Sequence, residues 1–355
     1  MTPAGSAGGE PVSRPIPPPG SLATGIGALP HRDPKAAVDE VLRIFPRFPY
    51  IPTLPNRGFL ESIVFSDSAM LPGRMIRDGR LTIDASRDLS SDMERVYLDY
   101  MERNTAPYAT TPEYGSAFFE MAGRDLSGAL LLKCQVTGPV TFGMQVVDAA
   151  KRPIYYDPQF ADVLGKLIAL RARWCEEEIG KRMGPGRSLV ILNEPYLASL
   201  GSSVVPIDRD SVIAGWNDIS ALVEGGLGVH CCTNTDWAFL VSLKPSVISF
   251  DAYGNAKEFL LYMDNLARFL ESGGVVAWGI VPSDPKIFSR ETIDSLTAKY
   301  LGIRKVVTEH VDTGVFDGQS IITPSCGIQL GTPAEAVAIM EAAAAVSAKA
   351  RGMPS

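Results

Sequence analysis

His230, Cys231 and Cys232 stand side by side in GVHCCTNTDW (228–237), in a chain with three histidines and five cysteines. Side chains along a strand repeat every two residues, so His230 and Cys232 share a face and Cys231 points the other way. A further soft ligand occurs far downstream, at Cys326 in PSCG (324–327). One imidazole and two thiolates make three corners of a tetrahedral zinc site, with the fourth left for a substrate or an exchangeable ligand. Asp251, in SFDAY (249–253), could occupy that corner at rest. The competing reading is a satisfied core histidine among packed cysteines, because cysteine is among the most buried residue types. Packing is the reading for Cys134 and Cys175. His31 and His310 lack an obvious cysteine partner, which favours surface or supporting roles.

Distant residues of this kind meet only if regular elements bring them together. Four short apolar runs read as strands buried on both faces: ALLLKCQVTG (129–138), SLVILNEP (188–195), SVISFDAY (246–253) and GVVAWGIV (274–281). Helical patterns lie between and after them, over 158–183, 208–225, 256–274 and 332–350. Strand and helix alternate, which implies a parallel sheet with right-handed crossovers. The polar residues fall at the carboxyl ends of the strands: Asn193 and Glu194, His230 to Cys232, Asp251, Pro282 to Asp284, and Cys326. In an eight-stranded α/β barrel the active site lies at that end. A doubly wound open sheet is the alternative, but no glycine-rich dinucleotide fingerprint follows a strand. The expected fold class is α/β, a single (β/α)8 TIM barrel over 21–350. A disordered Pro/Gly/Ser-rich tail is expected over 1–20.

Composition narrows the function. The chain of 355 residues carries a formal charge of -7, which argues against general nucleic-acid binding. No apolar run approaches the ~20 residues of a spanning helix, and the N-terminus lacks a signal-peptide pattern. A cytoplasmic protein without membrane partners is expected, in which clustered cysteines serve metals or catalysis before disulfides.

TGIGALP (24–30), GPVTF (138–142), LNEP (192–195), HCC (230–232) and PSCG (324–327) occur in this order through most of the chain. Together they resemble the catalytic barrel of the cobalamin-independent methionine synthases and their uroporphyrinogen-decarboxylase-like relatives. The pairing of His-x-Cys with a late Pro-x-Cys-Gly is similar to the zinc-dependent thiol methyltransferases of that group. The resemblance implies that His230, Cys232 and Cys326 hold Zn2+. It also implies that a small-molecule thiol bound there loses its proton and attacks a methyl group in line.

The departures from the family pattern concern the substrate. Asp251 matches a ligating glutamate but is one carbon shorter. Asn193-Glu194-Pro195 stands where relatives have Asp-Glu-Pro, so an amide replaces the partner of an amino group. Ile26-Gly27-Ala28 replaces Ile-Gly-Ser, and Glu61 in GFLESIVF is the matching amino-acid contact. Asp251 and Glu194 are the candidate catalytic residues, and Ile26, Ala28, Glu61 and Asn193 the candidate substrate contacts. For Glu194 the other reading is a residue that satisfies the barrel rim. Homocysteine is the acceptor that the resemblance favours. HCCTNTDW also resembles the methylcobalamin:coenzyme M methyltransferases, whose substrate has no amino group. A metal-free, uroporphyrinogen-decarboxylase-like enzyme is the remaining alternative, although its arginine-rich N-terminal motif is missing. With room for one barrel only, the chain is expected to take its methyl group from a corrinoid, either methylcobalamin or a corrinoid protein, and not from a folate.

Overall fold

Short continuous runs rich in isoleucine, valine and leucine, buried on both faces, build the sheet. The computed structural model describes residues 14–84 and 86–352. Its strands are β1 (Leu22–Ala23), β2 (Arg74–Arg77), β3 (Arg80–Ile83), β4 (Leu132–Thr137), β5 (Ser188–Asn193), β6 (Gly226–His230), β7 (Val247–Phe250), β8 (Val275–Val281) and β9 (Ser320–Pro324). Seven of them are parallel, in the order β1-β9-β8-β7-β6-β5-β4, and β2 and β3 form a separate hairpin. The chain over 47–53 fills the remaining gap. On one side Ile51 N donates to Lys133 O at 2.8 Å, and on the other Leu29 N donates to Thr53 O at 2.9 Å. This segment takes the eighth position and closes the barrel, and helices cover the outside.

Inward residues form layers. Leu22, Leu131, Leu189, Ile191, Val247, Val275, Ala277 and Ile321 pack as an apolar plug. Above it the lining turns polar, with Thr24, Lys133, Gln135, Ser249 and Thr323 around a small internal space. One step further, the same alternation delivers Asn193 and His230, which pair directly across β5 and β6.

Local signals set the helices. The helix Pro158–Met183 starts at Asp157, whose carboxylate accepts from Gln159 N at 2.9 Å, and stops at Gly184 with φ 80°. The helix Pro333–Ala350 opens on a Thr332/Glu335 capping box. The expected single helix over 256–274 is two, Ala252–Leu260 and Met263–Glu271, and the Asp251 cap starts the first one earlier than expected.

The tail also differs from expectation. Residues 1–13 lie outside the described residues. Residues 14–20, assigned to the tail by their composition, are packed. Ile16 is buried with the apolar plug, and Ser246 Oγ donates to the Arg14 carbonyl at 2.5 Å. One apolar side chain with a gap to fill outweighs its proline-rich surroundings. Among the described residues no helix is long and apolar enough to cross a membrane.

Candidate metal centre

The strand carrying the histidine ends at His230, and Cys232 lies two residues beyond it in a bend. The alternation still decides where the thiols go. Cys231 is fully buried in the hydrophobic core, while Cys232 is half-buried at the barrel mouth. Cys326 follows β9 in a loop held from two sides. Ser325 N donates to the Val281 carbonyl at 2.7 Å, and Ile328 N donates to the Ala28 carbonyl at 2.8 Å.

The ligand atoms of His230, Cys232 and Cys326 all lie within 4.8 Å of one another. His230 is buried, with Nδ1 2.9 Å from Ser249 Oγ and Nε2 without a partner. A buried ring nitrogen left unpaired carries a desolvation cost that a metal would remove. Ser249 fits the tautomer a metal needs, taking the Nδ1 hydrogen and leaving the Nε2 lone pair free. Cys232 is held well below the ordinary thiol range, first by the hydrogen bond from the Cys326 thiol and then by His230. Cys326 is correspondingly pushed up. One imidazole and two thiols gathered beside a cavity fit an open zinc site.

These three residues form part of the wall of a cavity of about 140 Å³ at the carboxyl ends of the strands. Ile26, Ala28, Glu61 and Asn193, the candidate substrate contacts, line the same cavity. The two candidate catalytic residues do not line it. Glu194 sits behind its wall: its carboxylate accepts from Val140 N at 3.0 Å and Thr141 N at 2.8 Å, at the start of the helix Pro139–Gln145. Burial pushes this carboxyl up to about 7 in spite of those bonds. Glu194 therefore satisfies the rim, because the orphan N–H groups of a helix start lie closer to it than the cavity does. Asp251 stays outside the three-residue cluster; its Oδ1 accepts from Gly254 N at 2.9 Å as a helix cap. It lies near the thiols, and burial raises its pKa. The missing methylene leaves its carboxylate with the helix it starts.

Glu61 is buried and engaged on every side. It accepts from Arg57 Nη1 at 2.9 Å, Ser116 Oγ at 2.7 Å and Leu54 N at 3.3 Å. Sequence reading overlooked Lys133, Gln135, Ser249 and Asp67. Three of them carried a usable signal, namely polar side chains at alternate positions inside otherwise apolar strands. Asp67 carried none. Trp237 and Trp278 are fully buried in an aromatic cluster with Phe250 and Phe259.

Neither a family model nor a curated protein matches the chain. Solved structures do. A B12-independent methionine synthase from Shewanella sp. W3-18-1, in complex with selenomethionine, superposes with a TM-score of 0.54 at 13% identity. The match covers 97% of this chain and 97% of that one. A putative vitamin-B12-independent methionine synthase from Listeria monocytogenes gives a TM-score of 0.55 at 13% identity, over 89% of this chain and 85% of that one. Because both are described as independent of B12, the likeness lends no support to the corrinoid donor or corrinoid-protein partner inferred from chain length. In fold, this chain is similar to the B12-independent methionine synthases.

Proposed function

We propose that this chain is a zinc-dependent thiol S-methyltransferase of the methionine synthase type. His230, Cys232 and Cys326 hold the metal, and the cavity beside them receives a small thiol. The observation that carries the reading is the convergence of two thiols on a buried, unpartnered His230 Nε2 at the mouth of the barrel. Held by these three residues, zinc would supply the positive charge that keeps a substrate thiol ionised. A free thiol of pKa about 8.5 is only a few per cent ionised at pH 7, so full ionisation recovers about 2 kcal/mol of the barrier. The new bond joins that sulfur to the methyl carbon, and the electron pair of the broken bond leaves with the donor.

The chain's own residues orient and shield. Ser249 keeps His230 in the ligating tautomer, and the Ala28–Ile328 bond holds the Cys326 loop over the mouth. Ile26, Pro55, Ile63 and Pro195 give the cavity an apolar wall that keeps water from the sulfur. Holding sulfur and methyl donor in line supplies much of the remaining acceleration.

Metal analysis and a thiol-methylation assay test the reading, with methyltetrahydrofolate and methylcobalamin offered as separate donors. Cys326→Ser should lose both bound zinc and methyl transfer, whereas Cys231→Ser should keep both. Full zinc occupancy in Cys326→Ser would end the assignment.

A further inference from the structure

The cavity has a polarity that the thiol chemistry alone does not require. Gln135 Nε2 donates to Asn193 Oδ1. The Gln135 amide is itself oriented from behind, by Lys133. Lys133 Nζ lies 2.5 Å from the Ile26 carbonyl oxygen and 3.5 Å from Gln135 Oε1. Burial pushes this lysine down to about 7, yet an ammonium and a neutral amine both have hydrogens for two oxygens. A carbonyl oxygen can only accept. Gln135 therefore turns its oxygen to the lysine and its NH2 to Asn193, and Asn193 must accept through Oδ1. The relay ends at Asn193 Nδ2, a donor, on a residue that lines the cavity.

The carboxylates of the cavity wall point to the same conclusion. Glu61 is taken up by Arg57, Ser116 and the Leu54 N–H. Asp67 accepts from Thr137 N at 2.8 Å and pairs with the buried Arg171 at 3.0 Å. Neither has its charge free for an incoming cation. Asn193 pairs with His230 across neighbouring strands, and both line the one cavity, so a short thiol can reach both.

We infer that the methyl acceptor is a short thiol bearing a carboxylate or similar anionic acceptor, which Asn193 Nδ2 binds, and that the cavity offers no charged partner to an ammonium group. This rests on the thiol-transfer reading but can fail without it.

The test uses the full chain loaded with Co2+, whose thiolate charge-transfer band, already present from Cys232 and Cys326, gains intensity when a further thiolate binds and so reports binding without turnover. Three probes are titrated: 3-mercaptopropionate, cysteamine and propanethiol. The acid should bind about tenfold tighter than the other two, as expected for one charge-assisted hydrogen bond. Gln135→Glu places a carboxylate that accepts from both Lys133 and Asn193 Nδ2. The Asn193 amide then turns its oxygen to the cavity, and the preference should pass to cysteamine. Asn193→Leu should make the acid and propanethiol equal. The Co2+ stoichiometry and unfolding midpoint identify a variant that has not folded, and the wild-type ranking with Asn193→Leu decides if Gln135→Glu is lost. Cysteamine binding as tightly as 3-mercaptopropionate in the wild type overturns the inference and leaves the thiol reading standing. So does an unchanged preference in both folded variants. A charge-transfer band that no added thiol changes overturns both.

Discussion

At the scale of single residues, two polar side chains outside the cavity lining have different partners. Ser249 Oγ lies 2.9 Å from His230 Nδ1 and would hold that ring for a metal. Ser249→Ala should lower zinc affinity about 10–100-fold, the usual effect of removing the group that orients a ligating histidine. Competition with a chromophoric chelator measures this. Glu194 serves the fold. Glu194→Ala would leave two buried N–H groups of the helix Pro139–Gln145 unpaired, at about 1–3 kcal/mol each. The same chelator titration should find its zinc affinity unchanged while its denaturation midpoint falls. A loss of zinc in Glu194→Ala equal to that in Ser249→Ala would return Glu194 to the metal centre.

At the scale of elements, two glycines of the sequence motifs exist for close approach and not for unusual backbone angles. A Cβ on Gly27 would collide with Gln135 Oε1, and one on Gly138 would collide with the Glu194 carboxylate. In this barrel, GPVTF and LNEP are thus two halves of one joint: a glycine clears space, and the glutamate of the next strand enters it to start the helix. Gly138→Ala must push Glu194 off the two N–H groups. It should cost about 1–3 kcal/mol, as overpacking in a filled core does. Combined with Glu194→Ala it should cost less than the sum, since the collision has already been removed. Denaturant titrations of both single variants and the double variant measure that coupling, and strict additivity would count against the joint.

At the scale of the whole molecule, the ligands come from the ends of β6 and β9, which are separated in the sheet by β7 and β8. A metal bound between them would tie the mouth of the barrel across its width. Ligand binding to the folded state alone stabilises it by about 4 kcal/mol at a thousandfold excess over the dissociation constant. Zinc should therefore raise the thermal midpoint of the wild type, and EDTA should reverse the rise. Cys326→Ser should melt at one temperature with or without either. Equal zinc-induced shifts in the wild type and Cys326→Ser would place the metal elsewhere.

The amino-acid order by itself determined which residues could share a metal and which end of the strands they occupy. Those features follow from local rules: period-two alternation, apolar runs long enough for one strand, and caps at helix starts. The same alternation assigned Cys231 to packing and Cys232 to the cavity, one residue apart. Tertiary structure decided what each polar group was left free to do. Glu194 and Asp251 looked available because a sequence does not show which N–H groups a carboxylate will find nearest, and both found helix starts. The eighth strand position, over 47–53, was illegible because its backbone pairs only through scattered bridges set by its neighbours. The direction of the Lys133–Gln135–Asn193 relay also arises only in the closed barrel. An amide can donate or accept, and only the partners packed around it choose which.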